Sequence, residues 1–385
     1  MNFQLSVPKT DALSVELRAL VAKLLYNYTS KAGVYCIMDS TNQQIADIEK
    51  ELRELPHHKA TDHHIGRLRA KLARLKDKDI ESLTKKGGGG GIGYAVKKQG
   101  DATIVLIGPP SAGKSTLINL LTNAQSKVAP YAFTTLTVIP GMMTYKDARI
   151  QILDVPGLIE GAEEGKGRGR EVLSVARGAD LLLIMSDVKR IEAIKRIEKT
   201  LEKNGIRLNQ SPPLVEFDKK TGGGLTIHSN LKQTISNETI KEVATEYGIK
   251  NAEITIKEKL TFDRLIDAFS RNRVYTPSLS VVNKIDINTN LDPDKIGISA
   301  TKQIGIDTLK EKIWNTLNFV RIYLNAKDPM VVKEGTTLQE ILLGIGPEFA
   351  ESKTSAKIWG PEAKFPGQEV SFAAKVFDGM QIKFV

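Results

Sequence analysis

Cysteine is nearly missing: the chain carries one, Cys36, among 385 residues. That excludes an intrachain disulfide and a cysteine-based zinc site, and it fits a reducing cytoplasm. Long apolar runs are missing too. No stretch approaches the roughly 18 consecutive apolar residues of a membrane span. Residues 1–9 lack a basic region followed by an apolar run, so export by a signal peptide is not expected. Aromatic residues are sparse at 6%, but 41% of the chain is apolar, enough to expect packed cores rather than disorder. At roughly 100–200 residues per domain, the length allows two to four domains. The one clear excess is positive charge. Lys and Arg number 55 against 45 Asp and Glu, a formal charge of +10 that favours polyanionic partners.

Residues 1–42 carry a helical stripe of Leu17, Leu20, Leu24 and Tyr28, with no chemistry attached; they read as an extension. Residues 43–86 are clearer. Ile45, Ile48, Leu52 and Leu55 repeat at three and four, Pro56 interrupts, and Ile65, Leu68, Leu72 and Leu75 repeat the spacing. Two stripes around a break predict an antiparallel helical hairpin, each stripe burying the other. Its second helix bears Arg67, Arg69, Lys71, Arg74, Lys76 and Lys78, which is either an RNA-facing surface or a solvated exterior. His57, His58, His63 and His64 flank the break without a metal-ligand pattern, so turn packing or polyanion contact is expected of them. Five consecutive glycines at 87–91 predict a loop or linker.

From Ala102 the pattern turns to alternating strand and helix. Thr103–Ile107, Ile150–Leu153, Leu181–Met185 and Leu279–Val282 are short apolar runs, and a helix starts at Ser115. Buried strands alternating with helices imply a mostly parallel sheet with helices on both faces.

The run Gly108-Pro109-Pro110-Ser111-Ala112-Gly113-Lys114-Ser115 follows the first strand and opens the helix, with Thr116 next. Glycines let a backbone wrap phosphate oxygens, and the N–H groups of the helix start point inward. Lys114 would reach the β- and γ-phosphates, and the Ser115 hydroxyl would bind Mg²⁺. Asp154-Val155-Pro156-Gly157 ends the next strand. There Asp154 can hold Mg²⁺ through water, and the Gly157 N–H can contact the γ-phosphate. Asn283-Lys284-Ile285-Asp286 follows a third strand. A carboxylate at Asp286 can accept from guanine N1–H and N2–H₂ together, a pair that adenine does not offer. The Lys284 stem can cover the base, and Ser299-Ala300 can supply a backbone N–H to guanine O6. Either tetrapeptide alone is a common turn; all four elements in this order are not a coincidence.

In these elements the chain resembles the Obg superfamily of GTPases, and within it the developmentally regulated GTP-binding (DRG) family. The resemblance rests on Asp154-Val155-Pro156-Gly157-Leu158-Ile159-Glu160-Gly161-Ala162 and on Tyr131–Leu136, similar to the first switch. It also rests on Lys59–Gly66, the glycine run, Gly205–Asn209, and a C-terminal stretch with Trp359-Gly360 and Lys364–Gln368 similar to a TGS domain. The family implies an α/β architecture: a P-loop GTPase domain with a mostly parallel sheet, an N-terminal helical hairpin, a small α/β insertion and a C-terminal β-grasp (TGS) domain. The resemblance covers about residues 43–385 and gives the basic hairpin at 43–86, the GTPase domain at 87–318 with the insertion at about 187–270, and TGS at 319–385, with 1–42 an extension that has no counterpart in it. It also implies association with ribosomes or RNA in the cytoplasm.

The implied reaction is GTP plus water giving GDP and phosphate, with Mg²⁺ as cofactor and the protein supplying position and charge. Thr135 is assigned to close the first switch over Mg²⁺ and the γ-phosphate, with Thr134 the alternative. Many small GTPases place a water-orienting glutamine where Leu158 stands here. An isobutyl group cannot hydrogen-bond water, so slow intrinsic turnover is expected, with help from backbone groups, K⁺ or a protein activator. Ser111 stands where potassium-stimulated relatives often carry asparagine; its oxygen can still ligate K⁺. Arg168, Arg170 and Arg177 are candidates for an in-chain arginine, with surface pairing the preferred reading. Two other functions stay open: a GTP-binding scaffold with negligible hydrolysis, and an ATPase, which Asp286 argues against.

Overall fold

The computed structural model describes residues 43–56, 61–84, 99–122, 129–130, 137–155, 168–287, 292–325 and 328–385. The stripe at 17–28, Cys36, His57, His58 and the glycine run lie outside the described residues. The described chain begins with helices α1 (43–54) and α2 (Asp62–Thr84). Strand β1 (Ala102–Ile107), helix α3 (Lys114–Leu121), and strands β2 (Ala129–Pro130), β3 (Thr137–Tyr145) and β4 (Ala148–Asp154) follow. Then come α4 (Arg168–Arg177), β5 (Leu181–Asp187), α5 (Glu192–Lys203) and β6 (Ile206–Leu208). Next are β7 (Val215–Lys219), β8 (Leu225–Ser229), α6 (Asn237–Glu246), β9 (Ala252–Ile256) and α7 (Phe262–Phe269). The chain continues through β10 (Val274–Thr276), β11 (Ser278–Asn283), β12 (Ile296–Gly297) and α8 (Ile306–Thr316). It closes with β13 (Phe319–Asn325), β14 (Asp328–Lys333), α9 (Leu338–Ile345), α10 (Pro347–Glu351), β15 (Ala356–Trp359), β16 (Gln368–Val370) and β17 (Met380–Phe384).

Among the described residues two compact units result: those between 99 and 212 with those between 272 and 385, and those between 43 and 84 with 213–271. The larger unit is built on a seven-stranded sheet in the order β12-β11-β5-β1-β4-β3-β2. Strands β1, β4, β5, β11 and β12 run parallel, and β2 and β3 are antiparallel additions at one edge. Every residue of β1 and β5 is buried, as central parallel strands covered on both faces require. Pleating sends alternate side chains to opposite faces. Ile104 and Leu106 pack with Leu117 and Ile118 of α3 and Ile313 and Trp314 of α8. Val105 and Ile107 pack with Val172 and Ala176 of α4 and Ile194 and Ile197 of α5.

The same unit carries a five-stranded sheet in the order β14-β13-β17-β15-β16. The central strands β13 and β17, first and last of the domain in chain order, pair in parallel and the rest antiparallel, the β-grasp arrangement. Helix α9 covers it through Leu338, Ile341 and Leu342. Thr337 caps that helix in a reciprocal box with Glu340, which satisfies two donors otherwise orphaned at its start.

In the smaller unit, a three-stranded sheet, β7-β9-β8, packs against α6 and α7. The expected hairpin is there: His64 Nε2 lies 2.9 Å from Glu51, and Lys76 Nζ lies 2.8 Å from Glu49, joining α2 to α1. The apolar stripes do not simply bury each other, because α2 also lies on the insertion. Ala70 joins the core of Ile240, Val243 and Leu265. A Cβ on Gly66 would come within 2.8 Å of the Phe262 ring and 3.1 Å of Thr239. Arg74 donates to the Glu246 carbonyl at 2.5 Å, and His63 lies 3.2 Å from Glu242. Arg74 and Lys76 are therefore spent on internal partners, while Arg67, Lys71 and Lys78 remain exposed. The insertion expected from about 187 begins instead at Pro213, because Ile194, Ile197 and Leu201 of α5 are buried on the central sheet.

Candidate functional site

The carboxyl ends of β1, β4, β5 and β11 share one edge of the sheet, where the loops of a doubly wound fold gather. The loop after β1 turns through left-handed backbone at Ser111 (φ 60°) and Gly113 (φ 94°). Two of its glycines are demanded by space. A Cβ on Gly108 would stand 2.2 Å from the Met185 carbonyl oxygen, and one on Gly113 would stand 2.3 Å from Asn283 Nδ2. The loop is thus pressed against β5 at Met185 and against the end of β11 at Asn283. Lys114 opens α3, is 9% exposed, and donates from Nζ to the carbonyls of Gly108 (3.0 Å) and Pro109 (3.1 Å). Burial lowers its pKa, and nearby Asp154 pulls it back up. Ser115 and Thr116 are exposed on the first turn, and Ala112 is buried.

Asp154, the last residue of β4, is 5% exposed. Its Oδ2 accepts from the Ser115 hydroxyl at 3.2 Å, and its buried Oδ1 has no hydrogen-bond partner among the described residues. Burial raises its pKa, with Lys114 and Ser115 opposing. A buried carboxylate oxygen left unpaired costs about 1–3 kcal/mol unless something charged completes it. Beside a hydroxyl oxygen, that donor set suits a hard divalent cation that keeps several of its waters. Ser115 and Asp154 therefore fit Mg²⁺.

Asn283, the last residue of β11, ties the two loops together. Its Nδ2 donates to the Ala112 carbonyl at 2.9 Å, and its Oδ1 accepts from the Ala300 N–H at 3.0 Å. Lys284 adopts left-handed backbone (φ 65°), and its Nζ donates to the Ser111 carbonyl at 2.9 Å. Asp286 is held below the usual carboxylate range, first by the Ser299 hydroxyl and further by Lys302 at 3.8 Å. Its carboxylate is thus held in the charged form, which accepts hydrogen bonds. The structure brings Gly108, Ser111, Ala112, Gly113, Lys114, Ser115, Asp154, Asn283, Lys284, Asp286, Ser299 and Ala300 to one edge of the sheet.

Thr134, Thr135, Gly157 and Leu158 lie outside the described residues, as do the side chains of Arg168 and Arg170. Arg177 is used elsewhere, donating to the carbonyls of Asn204 and Asn272. The arginine at the phosphate loop is a different one, Arg190, which donates to the Pro110 carbonyl at 2.8 Å and to Asp187 at 2.7 Å. Motif spacing carries no signal for this pair, since an Asp three residues before an Arg is ordinary.

A strand, a phosphate loop and a helix, flanked by an Asp-ended strand and an Asn-Lys-x-Asp loop, define the P-loop GTPases. Residues 103–219 match the family model described as a 50S ribosome-binding GTPase, and residues 222–319 match the C-terminal region of the MMR_HSR1 domain. An uncharacterized GTP-binding protein of Methanocaldococcus jannaschii is 45% identical, over 88% of this chain and 90% of that one. Developmentally-regulated GTP-binding protein 1 of Xenopus laevis is 43% identical, over 86% of this chain and 95% of that one. Developmentally-regulated G-protein 3 of Arabidopsis thaliana is 42% identical, over 86% and 95%. Among solved structures, a putative nucleolar GTP-binding protein 1 of Plasmodium falciparum aligns at 17% identity over 56% of this chain and 86% of that one. Its TM-score is 0.29. The chain belongs to the developmentally regulated GTP-binding protein family. It is a GTP-binding protein of the GTPase family, and among the described residues no helix is long and apolar enough to cross a membrane.

Proposed function

We propose that the protein hydrolyses GTP to GDP and phosphate and that its nucleotide state acts as a switch on the ribosome or RNA, in the cytoplasm. One observation carries this reading most: the unpartnered Asp154 oxygen beside the Ser115 hydroxyl, with Lys114 curled over the same loop. Lys114 would leave the loop carbonyls for the β- and γ-phosphate oxygens, and the loop N–H groups would hold the same oxygens. Ser115 and Asp154, with Thr135 from the first switch, would hold Mg²⁺, which supplies charge to the phosphates when bound. Gly157 would contact the γ-phosphate through its N–H. Asp286 would accept from the guanine edge, Lys284 would cover the base, and Ala300 N–H would meet O6, beside its present acceptor Asn283. Ordering of the two switches by the terminal phosphate is the change a partner would read.

Leu158, in place of a water-orienting residue, supports a slow intrinsic rate that K⁺ at Ser111 or a protein activator would raise. The same residue favours a second reading, a GTP-binding scaffold with negligible hydrolysis. The +10 charge suits an RNA-rich partner, and the β-grasp domain at 319–385 is read as a TGS domain. Phosphate release from GTP, measured in K⁺ and in Na⁺ and with and without ribosomes, tests the proposal. Turnover stimulated by ribosomes is expected. GTP binding with no release under any condition would leave the scaffold.

A further inference from the structure

Outside the four motifs, one side-chain cluster reaches both nucleotide loops. Asp187 ends β5, directly beside Asn283 in the parallel pairing of β5 with β11. Its side chain is 7% exposed. Oδ2 accepts from Arg190 Nη2 at 2.7 Å and lies 3.7 Å from Lys284 Nζ, while Oδ1 accepts from the Lys189 N–H at 3.1 Å. The same Arg190 Nη2 donates to the Pro110 carbonyl at 2.8 Å, and Lys284 Nζ donates to the Ser111 carbonyl at 2.9 Å. One nearly buried carboxylate thus holds two cations, and each cation holds one of two consecutive carbonyls in the phosphate loop. Pro110 cannot donate a backbone hydrogen bond, and Ser111 sits in left-handed backbone, so this turn has little intrinsic hold of its own.

We infer that Arg190, oriented by Asp187, is a positioning residue that fixes the outer turn of the phosphate loop in its nucleotide-binding shape. This rests on the reading that a guanine nucleotide binds here. Asp187 does more than orient Arg190, because it also holds the Lys284 ammonium over Ser111. It therefore couples the phosphate side of the cleft to the base side. Without Arg190, the Pro110 carbonyl is free to rotate, and binding must first restore the loop, so the bound nucleotide leaves sooner.

Dissociation of a fluorescent GDP from the full chain tests this in the native protein and in Arg190→Ala, Arg190→Lys, Asp187→Asn and the Asp187→Asn/Arg190→Ala double variant. Loss of one charge-assisted hydrogen bond predicts about tenfold faster release for Arg190→Ala. Arg190→Lys keeps a cationic donor and recovers part of the loss. Asp187→Asn is at least as fast as Arg190→Ala, since it also releases Lys284, and the double variant is no faster than Asp187→Asn, since Arg190 acts through Asp187. In steady state the loss falls on KM for GTP more than on kcat. A thermal melt without nucleotide separates this from general destabilisation, and the lysine and asparagine variants read the same contact should the alanine variant fail to fold. Release at the native rate in Arg190→Ala, or a loss confined to kcat, overturns the inference. A native protein that binds no GDP overturns instead the nucleotide reading beneath it.

Discussion

Gly113 is where two motifs meet at the closest range, and replacing it with alanine tests whether they form one site. The residue has φ 94°, and its Cβ would stand 2.3 Å from Asn283 Nδ2. Left-handed backbone costs a non-glycine residue roughly 1–2 kcal/mol. The clash adds a second cost, because Asn283 must move and give up its 2.9 Å bond to the Ala112 carbonyl. Leaving that buried amide unsatisfied costs about 1–3 kcal/mol. The sum is about 2–5 kcal/mol. If half of it is relieved when the empty loop relaxes, GDP binding weakens by about fivefold to seventyfold. Gly248→Ala is the matched control: φ is 79°, nothing lies within 4 Å of the added carbon, and the residue belongs to the other unit. It should leave GDP affinity unchanged. Titration of both variants with fluorescent GDP, beside urea denaturation without nucleotide, makes the comparison. Gly113→Ala binding GDP within about twofold of the native protein would refute the packing argument, since strain and clash together predict at least about fivefold.

Lys114→Ala removes the cation that curls over the loop and should reduce GDP and GTP affinity by about a hundredfold; unchanged affinity would remove the phosphate-loop assignment. Because burial raises the Asp154 pKa, protonation competes with Mg²⁺ at higher pH than for an exposed carboxylate. The Mg²⁺-dependent part of GTP affinity should therefore fall early as pH is lowered, and Asp154→Asn should abolish that pH dependence along with most of the Mg²⁺ effect. Gly66→Ala places a carbon 2.8 Å from the Phe262 ring and should destabilise the unit of α2 and the insertion by about 1–3 kcal/mol, read as a lower urea midpoint. Phe262→Leu in the same chain should return part of that loss.

The motifs were legible because each places fixed atoms at fixed spacing around one ligand. The strands were legible because central parallel strands are apolar throughout: Thr103–Ile107 and Leu181–Met185 lie within β1 and β5. Helix α2 was legible as a helix but not as a lid on the insertion, since Gly66 and Phe262 are far apart in the chain and glycine in a helix gives no hint of what it touches. The partners of its basic residues were hidden for the same reason: the acids that meet Arg74 and Lys76 sit on other helices. The boundary near 187 failed because the stripe of Ile194, Ile197 and Leu201 has the same period whichever core it faces. Left-handed backbone at Ser111 and Lys284 left no trace, because only glycine advertises that conformation. The Asp187–Arg190 pair is a product of the sheet edge rather than of any motif.

The most direct test is calorimetric titration of the nucleotide-free chain with GDP and with ADP, each with Mg²⁺. One GDP site per chain is expected, weakened by Asp286→Ala, with at least a hundredfold poorer binding of ADP by the loss of paired hydrogen bonds to the base. Equal binding of ADP and GDP, or GDP binding indifferent to Asp286, would contradict it.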